Sequence, residues 1–176
     1  HQAVGAIRSG AGHAFICAGV ESMSRIPMGG FNPLPNPALA KNYPQAYVSM
    51  GETAENLAKK YGIDRKKQEQ FAAGSQKKAA AARSSGRFSD EIVSIKTPEG
   101  KTLTEDGCIR AETTAESLAG LKPAFDQNGT VTAGTSSPLT DGAPATLVTS
   151  EESAKTPGLK ILKKIRAAAV SGCAPE

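Results

Sequence analysis

Tryptophan is absent from this chain of 176 residues, and aromatic residues make up only 5% of it. Nucleic-acid-binding surfaces interleave dense basic stripes with aromatic side chains, and a formal net charge of +4 with so few aromatics does not supply such a surface. Long apolar runs are also missing, since none approaches the roughly 18 residues that a membrane-spanning helix needs. We therefore expect neither a nucleic-acid partner nor a membrane span.

Cysteine and histidine are scarce as well. The three cysteines, Cys17, Cys108 and Cys173, are odd in number and none lies in a Cys-x-x-Cys pair, which argues against a disulfide framework and a zinc site. This cysteine usage is typical of a reducing compartment, so we expect a cytoplasmic protein. Only His1 and His13 could assist a nucleophile, and no Gly-x-Ser-x-Gly motif occurs. The residues alone therefore indicate no catalytic triad.

The composition that remains is globular, with 39% apolar and 22% charged residues in a length that suits one ordinary domain. Ala3 and Ile7 recur at helical spacing directly after His1. Because the chain opens inside this predicted helix and without Met, we expect a processed chain or a fragment. The apolar run at residues 14–19 lies between glycines and predicts a buried strand of a parallel sheet, with Cys17 as an inert buried thiol.

Helix and loop signals organise the middle of the chain. Residues 27–44 are rich in Pro, Gly and Asn and predict a long irregular loop. The apolar spacing then predicts a helix over residues 51–60 that stops at Gly62. Asp64 is placed to cap a long helix that runs to about Arg83. The apolar stripe of this second helix is predicted to consist of Phe71, Ala72, Ala79 and Ala82.

The signals in the rest of the chain are shorter. Residues 91–95 contain β-branched side chains and predict a short strand. The sequence Thr113-x-x-Glu116 has the form of a capping box and predicts the start of a short helix. At residues 143–150 a helix start and a strand compete, and residues 161–170 fit either a helix or a strand.

Several segments of this chain resemble segments of the thiolase family. Residues 17–27 resemble Ala-Gly-Gly-x-Glu-x-Met-Ser-x-x-Pro, and residues 50–56 resemble the helix start Met-Gly-x-Thr-Ala-Glu-Asn. Residues 121–125 and 129–134 resemble Leu-x-Pro-Ala-Phe and Gly-Thr-Val-Thr-Ala-Gly. The match is completed by Ser137 and by Asp-Gly-Ala at residues 141–143, so the segments occur in family order over nearly the whole chain.

The resemblance implies an α/β fold in which two similar βαβ halves pack in five layers of helix and sheet. This chain would hold part of the first half, the inserted loop domain and the start of the second half. The implied bounds are 1–25 for the end of the first half, 26–122 for the loop domain with a coenzyme A cradle, 123–155 for the return into the first half and 156–176 for the opening of the second half.

Thiolases exchange acyl groups between coenzyme A and its 3-ketoacyl or acetyl thioesters. The resemblance implies a cysteine thiolate as nucleophile, a second cysteine and a Gly-His-Pro histidine as proton carriers, and an Asn-Glu-Ala-Phe segment at an oxyanion hole. None of these four pieces matches a segment of this chain. We expect the nucleophile a few residues upstream of His1 and the others beyond Glu176. The chain is then an internal fragment without catalytic residues and inactive alone.

The same resemblance assigns most of the coenzyme A cradle to this chain, with coenzyme A as substrate and no permanently bound cofactor. The cradle residues are Met50, Ala124 and Phe125 for the apolar walls, Arg110 and Ser117 for the adenine and phosphates, and Ala133, Gly134 and Ser137 along the pantetheine arm. Taken without the resemblance, Arg110 fits a phosphate ligand and a structural ion pair equally well.

Further implications concern specificity, assembly and location. Ser49 stands where acetoacetyl-CoA thiolases often have His, which favours a broader 3-ketoacyl-CoA enzyme. The full-length parent is expected to form a homodimer or homotetramer, and a mitochondrial or peroxisomal matrix is the alternative to the cytoplasm. A non-catalytic acyl-CoA-binding module or an oligomerisation module remains the alternative function.

Overall fold

The computed structural model describes residues 1 to 175, and these residues form two compact units. The first unit comprises His1–Leu34 and Leu139–Ala174. The second comprises Pro35–Pro138 together with Pro175. The chain enters the second unit at residue 35 and leaves it after residue 138. The loop domain expected from the resemblance has different bounds, from 26 to 122.

The described chain contains helices and short strands, with α2, α3 and α4 following one another in its middle. The helices are α1 Gln2–Arg8, α2 Pro37–Asn42, α3 Met50–Tyr61, α4 Arg65–Ser84 and α5 Ala115–Ala119. The strands are β1 Ala14–Ala18, β2 Glu21–Ser22, β3 Ile95–Lys96, β4 Thr102–Leu103, β5 Asp141–Gly142 and β6 Ala145–Thr149. Short 3₁₀ helices occur at Pro44–Tyr47, Ala133–Thr135 and Ser153–Lys155.

The first unit is built on the antiparallel pair of β1 and β6, with Ile16 opposite Leu147 and Cys17 opposite Thr146. The prediction of a buried strand in a parallel sheet is therefore wrong, and Cys17 is exposed. Helix α1 contacts both strands, yet Ile16 remains 78% exposed. The apolar run is uncovered because no third strand within residues 1–175 pairs with this sheet.

Residues 143–150 fit either a helix start or a strand by sequence, and in the structure they contain strand β6, which pairs with β1. Alternating β-branched and apolar residues in β6 suit a pleated surface, and β1 offers the backbone partner. Residues 161–170, by contrast, form neither a helix nor a strand. Their mixed apolar spacing favours no period, and no strand of the described chain pairs with them.

Local capping signals set the start and end of α3 in the second unit. The Ser49 hydroxyl accepts a hydrogen bond from the Glu52 N–H at 3.2 Å, and the Glu52 carboxylate accepts one from the Ser49 N–H at 3.1 Å. Gly62 ends the helix in the left-handed conformation at φ +61°, which glycine adopts without a steric penalty. The predicted helix and its stop are confirmed.

Helix α4 begins as predicted, because the Asp64 carboxylate accepts a hydrogen bond from the Lys67 N–H at 2.8 Å. Its predicted apolar stripe is only partly correct. Phe71 is 79% exposed, while the polar side chains of Gln68 and Gln76 are partly covered and Glu69 is buried. These polar residues can face inward because most find hydrogen-bond partners there, as described below for the site.

Three local predictions shift or fail in detail. The loop predicted over residues 27–44 contains α2, whose first turn is capped by the Asn36 side chain. The predicted strand at 91–95 is β3, which starts only at Ile95, since Glu91 still belongs to the preceding turn and residues 92–94 have no regular secondary structure. The predicted capping box is displaced by one residue, so that Thr114 and Ser117 form it.

Candidate functional site

All eight residues that the resemblance assigns to a coenzyme A cradle lie in the second unit. They belong to three neighbourhoods: the first turn of α3, the surroundings of α5 and the segment before α5. The geometry of each neighbourhood is given by hydrogen bonds and close packing within this unit.

A short hairpin carries Ala124 and Phe125. The Ala124 N–H donates to the Val131 carbonyl at 2.9 Å, and Pro123 bridges to Thr132. The turn between the two arms is closed by Asp126, whose carboxylate accepts a hydrogen bond from the Asn128 N–H at 2.9 Å. One arm therefore ends in the predicted apolar wall, and the other leads directly into residues 133–137.

The hairpin is fixed to α3 by Glu55. The Glu55 carboxylate accepts hydrogen bonds from the N–H of Val131 at 2.7 Å and from the N–H of Thr130 at 2.9 Å. It also accepts one from the Thr130 hydroxyl at 3.1 Å, and the Gln68 amide of α4 donates to that hydroxyl at 2.9 Å. The hairpin is thus bonded to two helices at once.

The Phe125 ring lies against the first turn of α3. A methyl group added at Gly51 would overlap this ring, so the glycine permits the close approach. Met50, the first residue of α3, is 74% exposed, and Phe125 is 47% exposed. The structure therefore brings Met50, Ala124 and Phe125 to one partly apolar surface beside the start of α3.

Ala133 and Gly134 lie in the 3₁₀ helix that follows the hairpin. A methyl group at Gly134 would overlap the side chains of Leu118 and Leu121, so the protein's own packing requires the small residue. The fully buried Thr132 begins this turn, and its carbonyl accepts hydrogen bonds from the Thr135 N–H and the Ser136 hydroxyl. Ala133 and Ser137 remain exposed.

Ser117 lies in α5, and its hydroxyl is occupied within the chain. It accepts a hydrogen bond from the Thr114 N–H at 3.1 Å and donates one to the Thr114 carbonyl at 2.9 Å. These bonds close the capping box that starts α5. The structure therefore shows that Ser117 caps α5. The resemblance places the same residue near the adenine and phosphates of coenzyme A.

The end of α5 is bound by Arg65 of α4. The Arg65 guanidinium donates to the carbonyls of Leu118 and Ala119 in the last turn of α5, where a helix leaves carbonyls without intrahelical partners, and to the carbonyl of Leu121 beyond the helix. Its Nε atom donates to the buried Glu69 carboxylate at 2.7 Å. This contact explains why α4 turns polar side chains inward.

Arg110 is fixed through its backbone, and its side chain is exposed. Its N–H donates to the Gln76 side chain of α4 at 2.7 Å. The guanidinium is exposed and forms no ion pair with any residue of 1–175. The alternative of a structural ion pair is therefore not realised in the part of the chain that the structure describes.

The nearby Cys108 is not an activated thiol. Burial, followed by the charge of Asp106, raises the pKa of Cys108, and the neighbouring Arg110 opposes this shift only in part. Nucleophilic cysteines have the opposite shift, toward a lower pKa. All three cysteines are free of disulfides.

Residues 1–175 contain neither a metal site nor a membrane-spanning helix. No group of three or more His, Cys, Asp or Glu side chains lies close enough together there to hold a metal ion. No helix in that range combines the length and apolar character that crossing a bilayer requires.

The residues that sequence reasoning missed are those that hold the neighbourhoods together: Glu55, Gln68 and Arg65. Glu55 lies inside the segment Met-Gly-x-Thr-Ala-Glu-Asn, so the motif could have drawn attention to it. Its partner Thr130 lies 75 residues further along the chain, however, and no local pattern announces such a pairing.

The chain matches the family model described as the thiolase N-terminal domain over residues 1–152. It is 50% identical over 181 residues to the 3-ketoacyl-CoA thiolase of Marinobacter nauticus, covering 99% of this chain and 46% of that protein. The 3-ketoacyl-CoA thiolase of Shewanella loihica is 48% identical, with 98% and 46% covered. The chain thus spans about half the length of the curated relatives it matches.

Solved structures agree with these similarities. The dimeric peroxisomal thiolase of Saccharomyces cerevisiae superposes with a TM-score of 0.81 at 35% identity, over 92% of this chain and 42% of that one. The human mitochondrial 3-ketoacyl-CoA thiolase in complex with CoA superposes with a TM-score of 0.71 at 32% identity, over 88% and 42%. The expected α/β fold is confirmed by these structures.

Proposed function

The chain belongs to the thiolase family, and from this membership we propose that the whole protein transfers acyl groups between 3-ketoacyl-CoA or acetyl-CoA and coenzyme A. Its relatives from Marinobacter and Shewanella are named 3-ketoacyl-CoA thiolases, which supports the substrate class suggested by Ser49. We further propose that this chain contributes coenzyme A binding and that the acyl-accepting cysteine lies outside it.

The exposed guanidinium of Arg110, which forms no ion pair within residues 1–175, is the observation that carries the coenzyme A proposal. The backbone of Arg110 is fixed and its side chain is exposed. Such an arginine suits a phosphate, because the planar fork of the guanidinium matches phosphate oxygens. The partly exposed Met50 and Phe125 offer apolar contact for a pantetheine arm, and the Ser137 hydroxyl offers a partner for one of its amides.

We do not expect this chain alone to catalyse acyl transfer. Burial, followed by the charge of Asp106, raises the pKa of Cys108, which disfavours the thiolate that nucleophilic catalysis needs. Cys17 is exposed in β1 but matches a strand segment of the family, not its nucleophile. We therefore expect the 176-residue chain to show no thiolysis of acetoacetyl-CoA above background.

Replacement of Arg110 tests the proposal. Arg110→Ala should weaken coenzyme A binding by about ten- to a hundredfold, as expected for loss of one hydrogen bond to a charged group. Binding of pantetheine, which lacks phosphate, should change little. Titration calorimetry with both ligands measures the difference, and added salt should reduce it because part of the attraction is screened.

Arg87→Ala is the matched control, because Arg87 is also an exposed arginine of the second unit without an ion pair in residues 1–175. It should leave both ligands unaffected. Equal losses of coenzyme A and pantetheine in Arg110→Ala would show that Arg110 acts through the fold. A folded wild-type chain that binds no coenzyme A would contradict the proposal and favour an assembly role.

We extend the proposal to the assembly and location of the whole protein. The yeast relative is described as dimeric, which supports a homodimer or a homotetramer. Free cysteines suit the cytoplasm, and the mitochondrial and peroxisomal relatives supply the alternative compartments. Light scattering on the whole protein and cell fractionation test the two statements.

A further inference from the structure

We propose that Glu55 is a positioning residue for coenzyme A: its carboxylate holds the segment at residues 130–137 in the conformation that receives the ligand. This inference rests on the proposed function for the ligand, but the contact on which it depends is independent of any ligand. No family motif or relative's name assigns this role to Glu55.

The carboxylate makes an unusually complete set of hydrogen bonds. Both of its oxygens accept from the Thr130 N–H at 2.9 Å, one accepts from the Val131 N–H at 2.7 Å, and the other accepts from the Thr130 hydroxyl at 3.1 Å. Val131 is buried, and Thr130 and Glu55 are partly buried. Without the carboxylate, two backbone N–H groups would lose their partners in a place with little access to water.

Glycine at position 129 belongs to the same arrangement. A methyl group there would overlap the Glu55 carboxylate, although the backbone at Gly129 is not in the left-handed region. The glycine is therefore required by the close approach of the carboxylate. In the Gly-Thr-Val sequence at residues 129–131, the glycine thus leaves room for the Glu55 side chain, and the next two residues supply three hydrogen-bond donors to its carboxylate.

The contact controls both sides of the proposed ligand surface. Val131 receives the backbone hydrogen bond of Ala124 at 2.9 Å, so the arm with Phe125 is aligned by the residue that Glu55 holds. Thr132 follows at once and begins the turn that presents Ala133, Gly134 and Ser137. Glu55 itself is half-buried under the hairpin, with its carboxylate bonded to the chain.

The direction in which coenzyme A affinity changes distinguishes a positioning role of Glu55 from a purely electrostatic one. Coenzyme A carries negative phosphates, so removal of a negative side chain would strengthen its binding on Coulombic grounds alone. Loss of a positioned segment would weaken it. We expect Glu55→Gln to weaken coenzyme A binding by about tenfold or more, because an NH2 donor replaces one of the two oxygens that accept hydrogen bonds from the Thr130 and Val131 N–H groups.

The experiment uses the full chain and two measurements on each variant. Calorimetry gives the affinity for coenzyme A, and amide hydrogen exchange reports the opening of Thr130 and Val131 without ligand. Glu55→Asp keeps the charge on a shorter side chain, and Thr130→Val removes one donor while keeping the β-branched shape. Both should speed exchange at residues 130–131 and weaken coenzyme A binding, Thr130→Val less than Glu55→Gln.

Ala58→Gly is the matched control, since it lowers the stability of the same helix and leaves the Glu55 contacts in place. It should leave coenzyme A affinity within about twofold and the exchange at 130–131 changed only by global unfolding. If coenzyme A affinity falls equally in Ala58→Gly and Glu55→Gln, the effect of Glu55→Gln comes from a general loss of stability and the inference is wrong.

Two other results would overturn the inference. Unchanged exchange at 130–131 in Glu55→Gln would show that the carboxylate does not hold the segment. Faster exchange with unchanged coenzyme A affinity would show that the held conformation is not the one the ligand needs. If the wild-type chain binds no coenzyme A, the proposed function fails together with the ligand part of this inference, while the exchange data still decide whether Glu55 holds the segment.

Discussion

At the scale of single residues, charged groups in this chain are placed by specific hydrogen bonds more than by ion pairs. Asp141 in β5 accepts hydrogen bonds from the hydroxyl and the N–H of Ser24, the latter at 2.9 Å. The Ser24 side chain, and after it the Ser24 backbone, lowers the pKa of Asp141 below its ordinary value of 3.8. The ionised carboxylate is therefore the form that the folded first unit prefers.

This preference predicts an acid-dependent stability. Because the folded pKa lies below the unfolded one, the contribution of Asp141 is present above the unfolded pKa and is lost as the pH falls through the folded pKa. Urea unfolding should thus show wild type more stable than Asp141→Asn at about pH 6, with the difference shrinking as the pH falls below the ordinary value of 3.8.

Ser24→Ala, which removes the hydroxyl donor, should reduce the same pH-dependent difference while leaving the charge of Asp141 in place. A stability difference between wild type and Asp141→Asn that stays constant from neutral to acid pH would contradict the assignment of the shift to Ser24.

At the scale of elements, α5 is too short to be stable by itself and depends on its two ends. Its start is closed by the capping box of Thr114 and Ser117, and its last carbonyls receive the guanidinium of Arg65. Five helical residues supply few backbone bonds, so the contacts at the ends decide whether the helix persists. The packing of Gly134 against Leu118 then depends on α5 in turn.

We expect Arg65→Lys to destabilise the second unit by about 1–3 kcal/mol although the charge is kept. An ammonium group cannot reach Glu69 and several carbonyls at once in the geometry of the planar fork. Urea unfolding followed by circular dichroism measures the loss. Lys66→Ala, one residue along the exposed side of α4, is the control and should have a small effect; equal losses in both variants would argue against a special role for Arg65.

At the scale of the whole molecule, the chain buries few of its apolar side chains. The buried apolar residues within 1–175 are Ala3, Ala58, Leu118 and Val131. The paired strands β1 and β6 carry apolar side chains that nothing covers, because Ile16 and Leu147 are exposed opposite each other.

The exposed apolar surface predicts that the 176-residue chain self-associates in solution. Replacing both Ile16 and Leu147 by Thr should lower the mean mass measured by light scattering, since this removes an apolar pair from an uncovered sheet face. Val20→Thr is the control, because Val20 is equally exposed but lies outside the strands. A wild-type chain that stays monomeric at micromolar concentration would contradict the prediction.

The sequence by itself determined the features whose partners lie within a few residues. Ser49 and Glu52, Asp64 and Lys67, and the left-handed Gly62 define the ends of α3 and α4 through bonds that span at most one turn. The family motifs likewise identified the fold, because each is a contiguous segment. Even here the register of the α5 cap was off by one residue, since Thr113 and Thr114 are chemically equivalent as candidates.

The tertiary structure alone decided the features whose partners are distant in sequence. The apolar stripe predicted for α4 includes Phe71, yet Phe71 is exposed and Glu69 is buried. Arg65 makes this possible, because a buried charge is tolerated once it is paired and hydrogen-bonded. Cys17 was expected to be buried, but a strand is covered only by what packs on it. The candidate site follows the same rule: its residues could be named from motifs, while the carboxylate of Glu55 that arranges them meets Thr130 only after the chain has folded.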